Sequence, residues 1–214
     1  LGLDPALAEA RFAAAAARAG ATPQTDRVRT GVAPHAAYST SKDLFRMLVD
    51  HQRARGLPVT VHLCESREEA ELFSKGSGPL ADYCRRIYAG APWHRGYTPV
   101  RWLEREGLLP DGVVVAHGNT LDDGDMEILA RRGASVVHCP SSHAFFRHPR
   151  FPLDALRAHG INVALGTDSL ASADSLSMLE QLRLFRAAHP EFSFAQALEL
   201  AARNGARALG LDRV

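Results

Sequence analysis

Side chains that could bind a metal ion or transfer a proton stand at the ends of apolar runs in this sequence. The run V-T-V at 59–61 leads into His62, and Glu65 follows three residues later. On one strand these two side chains would point to opposite faces, so they share a site only if a turn brings Glu65 back. Other polar residues follow apolar runs in the same way: His35, His117, His138 and Asp168. This repetition predicts a shared site at one end of a set of strands.

The residue types indicate the chemistry of such a site. Imidazole and carboxylate groups together suit Zn²⁺ or Fe²⁺, so we expect one divalent metal, zinc or iron. A catalytic zinc keeps an open position for water and lowers the pKa of that water to about 7. Glu65 would then be a proton shuttle rather than a ligand. A lone histidine is as often structural as functional, and we expect His138, beside Cys139, to fill a layer beneath the site.

Predicted strands and helices alternate along the chain, which is typical of an α/β protein. Apolar runs predict five strands, at 27–33, 58–62, 112–116, 134–139 and 161–166. Periodicity and end signals predict helices at 5–19, 41–55, 66–89 with an interruption at 76–79, 99–106, 122–132, 152–159, 175–188 and 193–210. Loops are expected at 90–98 and after Cys139. Continuous apolar strands suit a parallel sheet, either a (β/α)8 barrel or an open doubly wound sheet.

Composition excludes several classes of function. The 214 residues have a formal net charge of +1, with 25 Lys and Arg interspersed among 24 Asp and Glu, so we expect no nucleic-acid partner. The longest nearly uncharged run is too short and polar to span a membrane, and the N-terminus does not resemble a signal peptide. The three cysteines have no spacing typical of disulfides or a metal knuckle. A cytoplasmic protein with a small-molecule substrate is expected.

Several motifs together resemble a known superfamily. They are H-x-x-E at 62–65, A-H-G at 116–118, C-P-S-S at 139–142, G-T-D-S at 166–169, A-P-H-A-A-Y-S-T-S at 33–41 and N-G-A-R-A-L-G-L at 204–211. In this order they resemble the amidohydrolase superfamily, in the branch of nucleoside deaminases and chlorohydrolases. Segments 143–149 and 169–178 are most similar to proteins assigned as aminodeoxyfutalosine deaminases or as generic metal-dependent hydrolases. The resemblance implies a metal-dependent hydrolase that deaminates an aminated purine nucleoside-like substrate, such as aminodeoxyfutalosine or methylthioadenosine.

The resemblance also implies roles for individual residues. His62, at the end of barrel strand 5, would be a metal ligand, and Asp168, from strand 8, would bind the metal and help deprotonate the water. Glu65 would carry a proton to the ring nitrogen of the substrate. His117, from strand 6, would polarise or orient the attacked group. The residues expected to contact substrate are His35, Glu65 and Ser142.

The resemblance implies a TIM-type barrel of which the C-terminal five βα units are present, as one domain over residues 1–214. The family begins its barrel with an H-x-H strand that supplies two further ligands, and no H-x-H occurs in this sequence. Unrecorded residues or a partner chain would supply these ligands, or they are absent. The open sheet edges of a partial barrel could pair with another copy, as in a homo-oligomer.

Three functions remain open from the sequence. Besides deamination, the same apparatus would serve a chlorohydrolase or a hydrolase of cyclic amides. The chain could also be a catalytically inactive fragment. Trp93, Phe145 and Phe146 would either form an aromatic wall for a base or pack within the protein.

Overall fold

Four short strands pair in parallel in the order β1–β2–β3–β4. The computed structural model describes residues 2–23, 25, 28, 30–88 and 96–211. The strands are β1 (Thr60–Leu63), β2 (Val114–His117), β3 (Ser135–His138) and β4 (Asn162–Leu165). Most of their residues are buried, including neighbours that point to opposite faces, as expected for parallel strands covered on both sides. The predicted α/β architecture with a parallel sheet is confirmed.

Helices connect the strands, and further helices precede β1 and follow β4 along the chain. In chain order they are α1 (Ala8–Gly20), α2 (Lys42–Ala54), α3 (Arg67–Lys75), α4 (Pro79–Ile87), α5 (Pro99–Arg105), α6 (Asp123–Arg131), α7 (Pro140–Phe145), α8 (Leu153–Ala158), α9 (Met178–Ala188), α10 (Phe194–Ala201) and α11 (Arg203–Ala208). A 3₁₀ turn, Pro5–Leu7, precedes α1. Among the described residues, no helix has both the length and the apolar character needed to cross a bilayer.

The strand predicted at 27–33 is wrong for its described residues, 28 and 30–33. The backbone N–H of Val32 donates to Oε1 of Gln52 at 3.0 Å, so a helix side chain binds the group that a neighbouring strand would have paired. Pairing with β1 is limited to one bridge between Ala36 and His62, in which the N–H of His62 donates to the carbonyl of His35 at 3.0 Å. The remainder of this segment lies outside the described residues.

Two further predictions differ from the structure. The helix predicted at 193–210 is divided into α10 and α11 at Ala202, where φ is −99° and ψ is −76°. This break brings Asn204 onto β4, where its side chain donates to the carbonyl of Val163 at 2.8 Å. The loop predicted after Cys139 begins instead with helix α7, whose first residue is Pro140, the position at which a missing N–H costs least. Residues 90–95 of the loop predicted at 90–98 lie outside the described residues.

A single large apolar cluster joins the sheet to helices α3, α5, α6, α8, α9 and α10. Strand residues such as Val61, Leu63 and Val136 are at most 1% exposed within it. All three cysteines are buried and free. The sheet is therefore anchored through its apolar side chains, and this leaves the polar strand ends in fixed positions.

We expect Leu129→Ala to destabilise the protein by about 2–5 kcal/mol, because Leu129 on α6 is fully buried in this cluster and its removal leaves a cavity. Leu179→Ala on α9 is the matched control, since Leu179 is 71% exposed, and should change stability by less than about 0.5 kcal/mol. Urea unfolding at one fixed pH measures both. Equal effects of the two substitutions would contradict the packing of α6.

Candidate metal centre and active site

The parallel register brings the carboxyl ends of the strands to one edge of the sheet. Leu63 pairs with His117, and His62 is the residue just before it on β1. At the strand ends or within three residues of them, the backbone turns sharply at positions with positive φ: Cys64 at 55°, His117 at 74° and Asp168 at 58°. Such left-handed conformations are uncommon in residues other than glycine and concentrate at functional sites. They aim the polar side chains into one space.

Three of the predicted site residues meet there. The ligand atoms of His62, His117 and Asp168 all lie within 4.8 Å of one another, the only group of three or more potential metal donors found among the described residues. Two imidazoles and one carboxylate are donors that zinc accepts in catalytic sites. Nδ1 of His62 donates to the carbonyl of His35 at 2.7 Å. This bond leaves Nε2 of His62 for an ion, in the arrangement common among metal-binding histidines.

Burial keeps His117 neutral. The side chain is 4% exposed, and desolvation, followed by repulsion from His62, lowers the pKa of His117 to about 4, although Asp168 acts in the opposite direction. A neutral imidazole is the form that binds metals. The structure therefore places His117 close enough to His62 and Asp168 to bind the same ion. The sequence resemblance implied only that it polarises or orients the attacked group.

Glu65 turns back toward this cluster, as its spacing from His62 required. Its Oε1 lies 3.7 Å from Nε2 of His117. Burial raises the pKa of Glu65, the adjacent His62 ring opposes this rise, and Asp168 adds to it. The carboxyl group therefore keeps its proton to a higher pH than an exposed glutamate does.

Asp168 is shifted in the other direction. Burial alone would raise its pKa, but the hydroxyls of Ser142 and Ser172, and after them the adjacent His117 ring, outweigh burial, so that the pKa of Asp168 is lowered. Oγ of Ser172 donates to Oδ2 of Asp168 at 2.8 Å. The Ser142 hydroxyl has no hydrogen bond of ordinary geometry, yet lies close enough to favour the ionised carboxylate. Asp168 is held in its charged form.

The two other residues expected to contact substrate have different surroundings. The His35 ring lies 4.9 Å from that of His62 between centroids, and its Nδ1 is 2.7 Å from Oγ of Ser39. Ser142 is 1% exposed and stands behind Asp168. Its position allows the Ser142 hydroxyl to stabilise the Asp168 carboxylate. Substrate contact by His35 or Ser142 stays a prediction.

The structure also describes the surroundings of His138, Phe145 and Phe146. His138 is 3% exposed and stacks on Phe151 with ring centroids 4.1 Å apart, in keeping with a structural role. Phe145 and Phe146 are exposed and contact each other edge to face, with centroids 5.0 Å apart. Trp93 lies outside the described residues.

A cavity of about 560 Å³ opens beside Glu65. Its walls come from the start of α3, including Arg67, and from the segment after α7, including Phe146 and His148. The cavity therefore presents acidic, basic and aromatic side chains next to the candidate proton carrier.

Sequence reasoning missed two residues that touch the backbone of Glu65. Oε2 of Glu69 accepts from the Glu65 N–H at 2.7 Å, and Nδ2 of Asn119 donates to the Glu65 carbonyl at 3.0 Å. The pattern S-x-x-E at 66–69 was visible, but such a pattern predicts a helix cap. Nothing in the sequence around Asn119 pointed to its contact, which joins segments 54 residues apart.

Comparison with known proteins agrees with this geometry. A model of the amidohydrolase family matches residues 5–214. The chain belongs to the amidohydrolase family. It is 32% identical over 191 residues to the aminodeoxyfutalosine deaminase of Deinococcus radiodurans, covering 86% of this chain and 46% of that protein. It is 34% identical over 187 residues to a 5-methylthioadenosine/S-adenosylhomocysteine deaminase of Pyrococcus furiosus, covering 84% and 40% respectively.

A solved structure shares the fold of this chain. An adenosine deaminase from Xanthomonas campestris with bound zinc superposes with a TM-score of 0.76 at 27% identity, over 95% of this chain and 44% of that one. The chain spans less than half the length of these relatives. Together with the open parallel sheet, this coverage agrees with the predicted partial barrel.

We expect Glu69→Gln to change how stability depends on pH. Burial raises the pKa of Glu69 from 4.5 to about 8. The folded state thus binds this proton more tightly, and the resulting stability is complete below the unfolded pKa and is lost as pH rises through the folded pKa. Gln does not ionise, so the stability of the variant relative to wild type should rise between about pH 5 and pH 8, by at most about 1.4 kcal/mol per pH unit.

Urea unfolding across this pH range measures the effect. Glu127→Gln is the control, because Glu127 on α6 is exposed, and this substitution should change stability by less than about 0.5 kcal/mol. A Glu69→Gln difference that is constant with pH would contradict a buried, protonated Glu69.

Proposed function

We propose that this chain contains the metal-binding and proton-transfer residues of a hydrolase that replaces the amino group of a purine nucleoside-like substrate with oxygen. The observation that supports it most is the meeting of His62, His117 and Asp168 within 4.8 Å, with Glu65 3.7 Å from His117. The relatives named as deaminases of aminodeoxyfutalosine and methylthioadenosine support the choice of substrate class.

The donor set fits one zinc ion. His62, His117 and Asp168 would hold it, since catalytic zinc sites use three protein ligands of these types and leave one position open. The zinc-bound relative from Xanthomonas campestris supports this metal over iron. When bound, such an ion supplies Lewis-acid chemistry, lowering the pKa of water and neutralising negative charge that develops on the substrate.

The protein groups divide the proton transfers between them. Two neighbouring carboxylates whose surroundings move their pKa values apart are typical of an acid and a base in one active site. Glu65, with its raised pKa, holds a proton and donates it to the ring nitrogen. Asp168, with its lowered pKa, stays ionised and accepts a proton from the attacking water. Asp168 passes that proton to the amino group, the carbon–nitrogen bond breaks and ammonia leaves. The remaining hydroxyl proton returns to Glu65, so that the oxygen of water stays on the ring as a carbonyl.

The cavity beside Glu65 would receive the substrate. A purine ring bound there would have Glu65 and the exposed ring of Phe146 among the residues around it, and a heterocycle can stack on such a ring. The cytoplasmic location, the single-domain organisation over 1–214, the absence of a nucleic-acid partner and a homo-oligomer formed along the sheet edges stay predictions.

We expect the zinc-loaded protein to release ammonia from methylthioadenosine or aminodeoxyfutalosine, and Glu65→Gln to lower kcat by about 100- to 10,000-fold, because Gln cannot donate the proton. Glu127→Gln, on the exposed face of α6, is the matched control and should leave kcat unchanged. Ammonia release followed with time measures all three proteins.

Two results would contradict the proposal. Release of halide from a chlorinated triazine, with no ammonia from either nucleoside, would indicate a chlorohydrolase. A folded chain that holds zinc and turns over none of these substrates would indicate an inactive fragment.

A further inference from the structure

We propose that Glu69 and Asn119 are positioning residues, which hold the peptide backbone of Glu65 so that its carboxyl group faces His117. The inference rests on the proposed function, in which Glu65 transfers the proton. Neither Glu69 nor Asn119 touches the substrate in this proposal, and both act through the backbone of Glu65.

The two side chains bind both polar backbone groups of one residue. The N–H of Glu65 donates to Oε2 of Glu69 at 2.7 Å, and the carbonyl of Glu65 accepts from Nδ2 of Asn119 at 3.0 Å. Glu69 is 1% exposed and Asn119 is 9% exposed, so neither bond competes freely with water. With both of its backbone groups bound, Glu65 has little freedom to redirect its side chain.

Helix capping alone does not explain Glu69. Ser66 is the N-cap of α3 and accepts from the N–H of Glu69 at 3.2 Å, which makes Glu69 the third helical residue. In a capping box the carboxylate at this position accepts from the N-cap N–H, here that of Ser66. Oε2 of Glu69 instead accepts from Glu65, one residue earlier, so the carboxylate binds the site turn rather than its own helix.

Helix α6, which follows the neighbouring strand, provides the contrast. Asp125 occupies the same third position, is fully buried and forms a complete capping box with Asp122. Its carboxylate also binds Thr98 and Arg101, none of which belongs to the site. The two helices therefore use a buried acidic residue at the same position for different purposes.

Both positioning side chains keep one buried atom without a hydrogen-bond partner, Oε1 of Glu69 and Oδ1 of Asn119. Such groups are rare because an unpaired buried oxygen costs free energy. Both residues nevertheless hold the backbone of Glu65, so each combines this contact with a buried oxygen that is costly to stability.

The turns that hold Glu65 and His117 are bonded to each other. Gly118 N–H donates to the carbonyl of Leu63 at 3.0 Å, and both the N–H and the hydroxyl of Thr120 donate to the carbonyl of Cys64, at 2.9 and 3.1 Å. Asn119 lies between these two residues. The 3.7 Å separation of Glu65 from His117 is therefore set by one connected set of bonds.

The test compares Glu69→Ala, Glu69→Gln and Asn119→Ala with Asp125→Ala as the matched control, all in the zinc-loaded protein. We expect Glu69→Ala to lower kcat by roughly 10- to 100-fold with KM within about threefold, because a shift of about 1 Å in a reacting group can cost about 100-fold. Glu69→Gln keeps an acceptor oxygen and should restore kcat to within about threefold of wild type. Asp125→Ala should lower the melting temperature but leave kcat unchanged.

Crystal structures of the same variants supply a readout that does not depend on activity. In Glu69→Ala and in Asn119→Ala we expect the Glu65 carboxyl group to move away from His117, and in Glu69→Gln and Asp125→Ala to stay in place. If Glu69→Ala does not fold, Asn119→Ala removes the other bond to the same backbone and tests the same inference.

Wild-type kcat in both Glu69→Ala and Asn119→Ala, or an unmoved Glu65 in their structures, would overturn the inference. Wild-type protein that holds zinc but releases no ammonia would overturn the proposed function alone, since the crystal structures still determine whether Glu69 and Asn119 position Glu65.

Discussion

Parallel pairing of four short strands is the constraint on which the candidate site depends. The register that places Leu63 opposite His117 also brings the ends of β3 and β4 to the same edge. A slip of one residue would turn His62 to the other face of the sheet, because side chains alternate along a strand. The large apolar cluster on the strands and helices prevents such a slip. Packing in the core thus determines where the polar side chains meet.

The turns beyond the strands convert this alignment into a site with distinct acid and base groups. Left-handed backbone at Cys64, His117 and Asp168 directs side chains inward at some cost in conformational energy. Desolvation then raises the pKa of Glu65, whereas hydrogen bonds from serine hydroxyls lower the pKa of Asp168. Opposite pKa shifts in these neighbouring carboxylates therefore arise from local contacts within the described part of the chain.

The sequence predicted the parts of this arrangement that depend on pattern. Apolar runs ending in His62, His117 and Asp168 placed three donors at the ends of strands, and their meeting followed from parallel pairing. The strand at 27–33 could not be judged in this way, because Gln52, distant in sequence, binds the N–H of Val32. Glu69 was missed for a similar reason, since its spacing from Ser66 is also that of an ordinary helix cap. Contacts between distant segments and left-handed turns without glycine leave no local signal.

Binding of one divalent ion by His62, His117 and Asp168 is the central claim, and zinc K-edge X-ray absorption of the zinc-loaded chain tests it most directly. We expect one zinc per chain, with imidazole nitrogen and carboxylate oxygen neighbours at about 2.0–2.2 Å. The three buried cysteines offer the alternative ligands. A spectrum dominated by sulfur at about 2.3 Å, or a folded chain that retains no zinc, would contradict the claim.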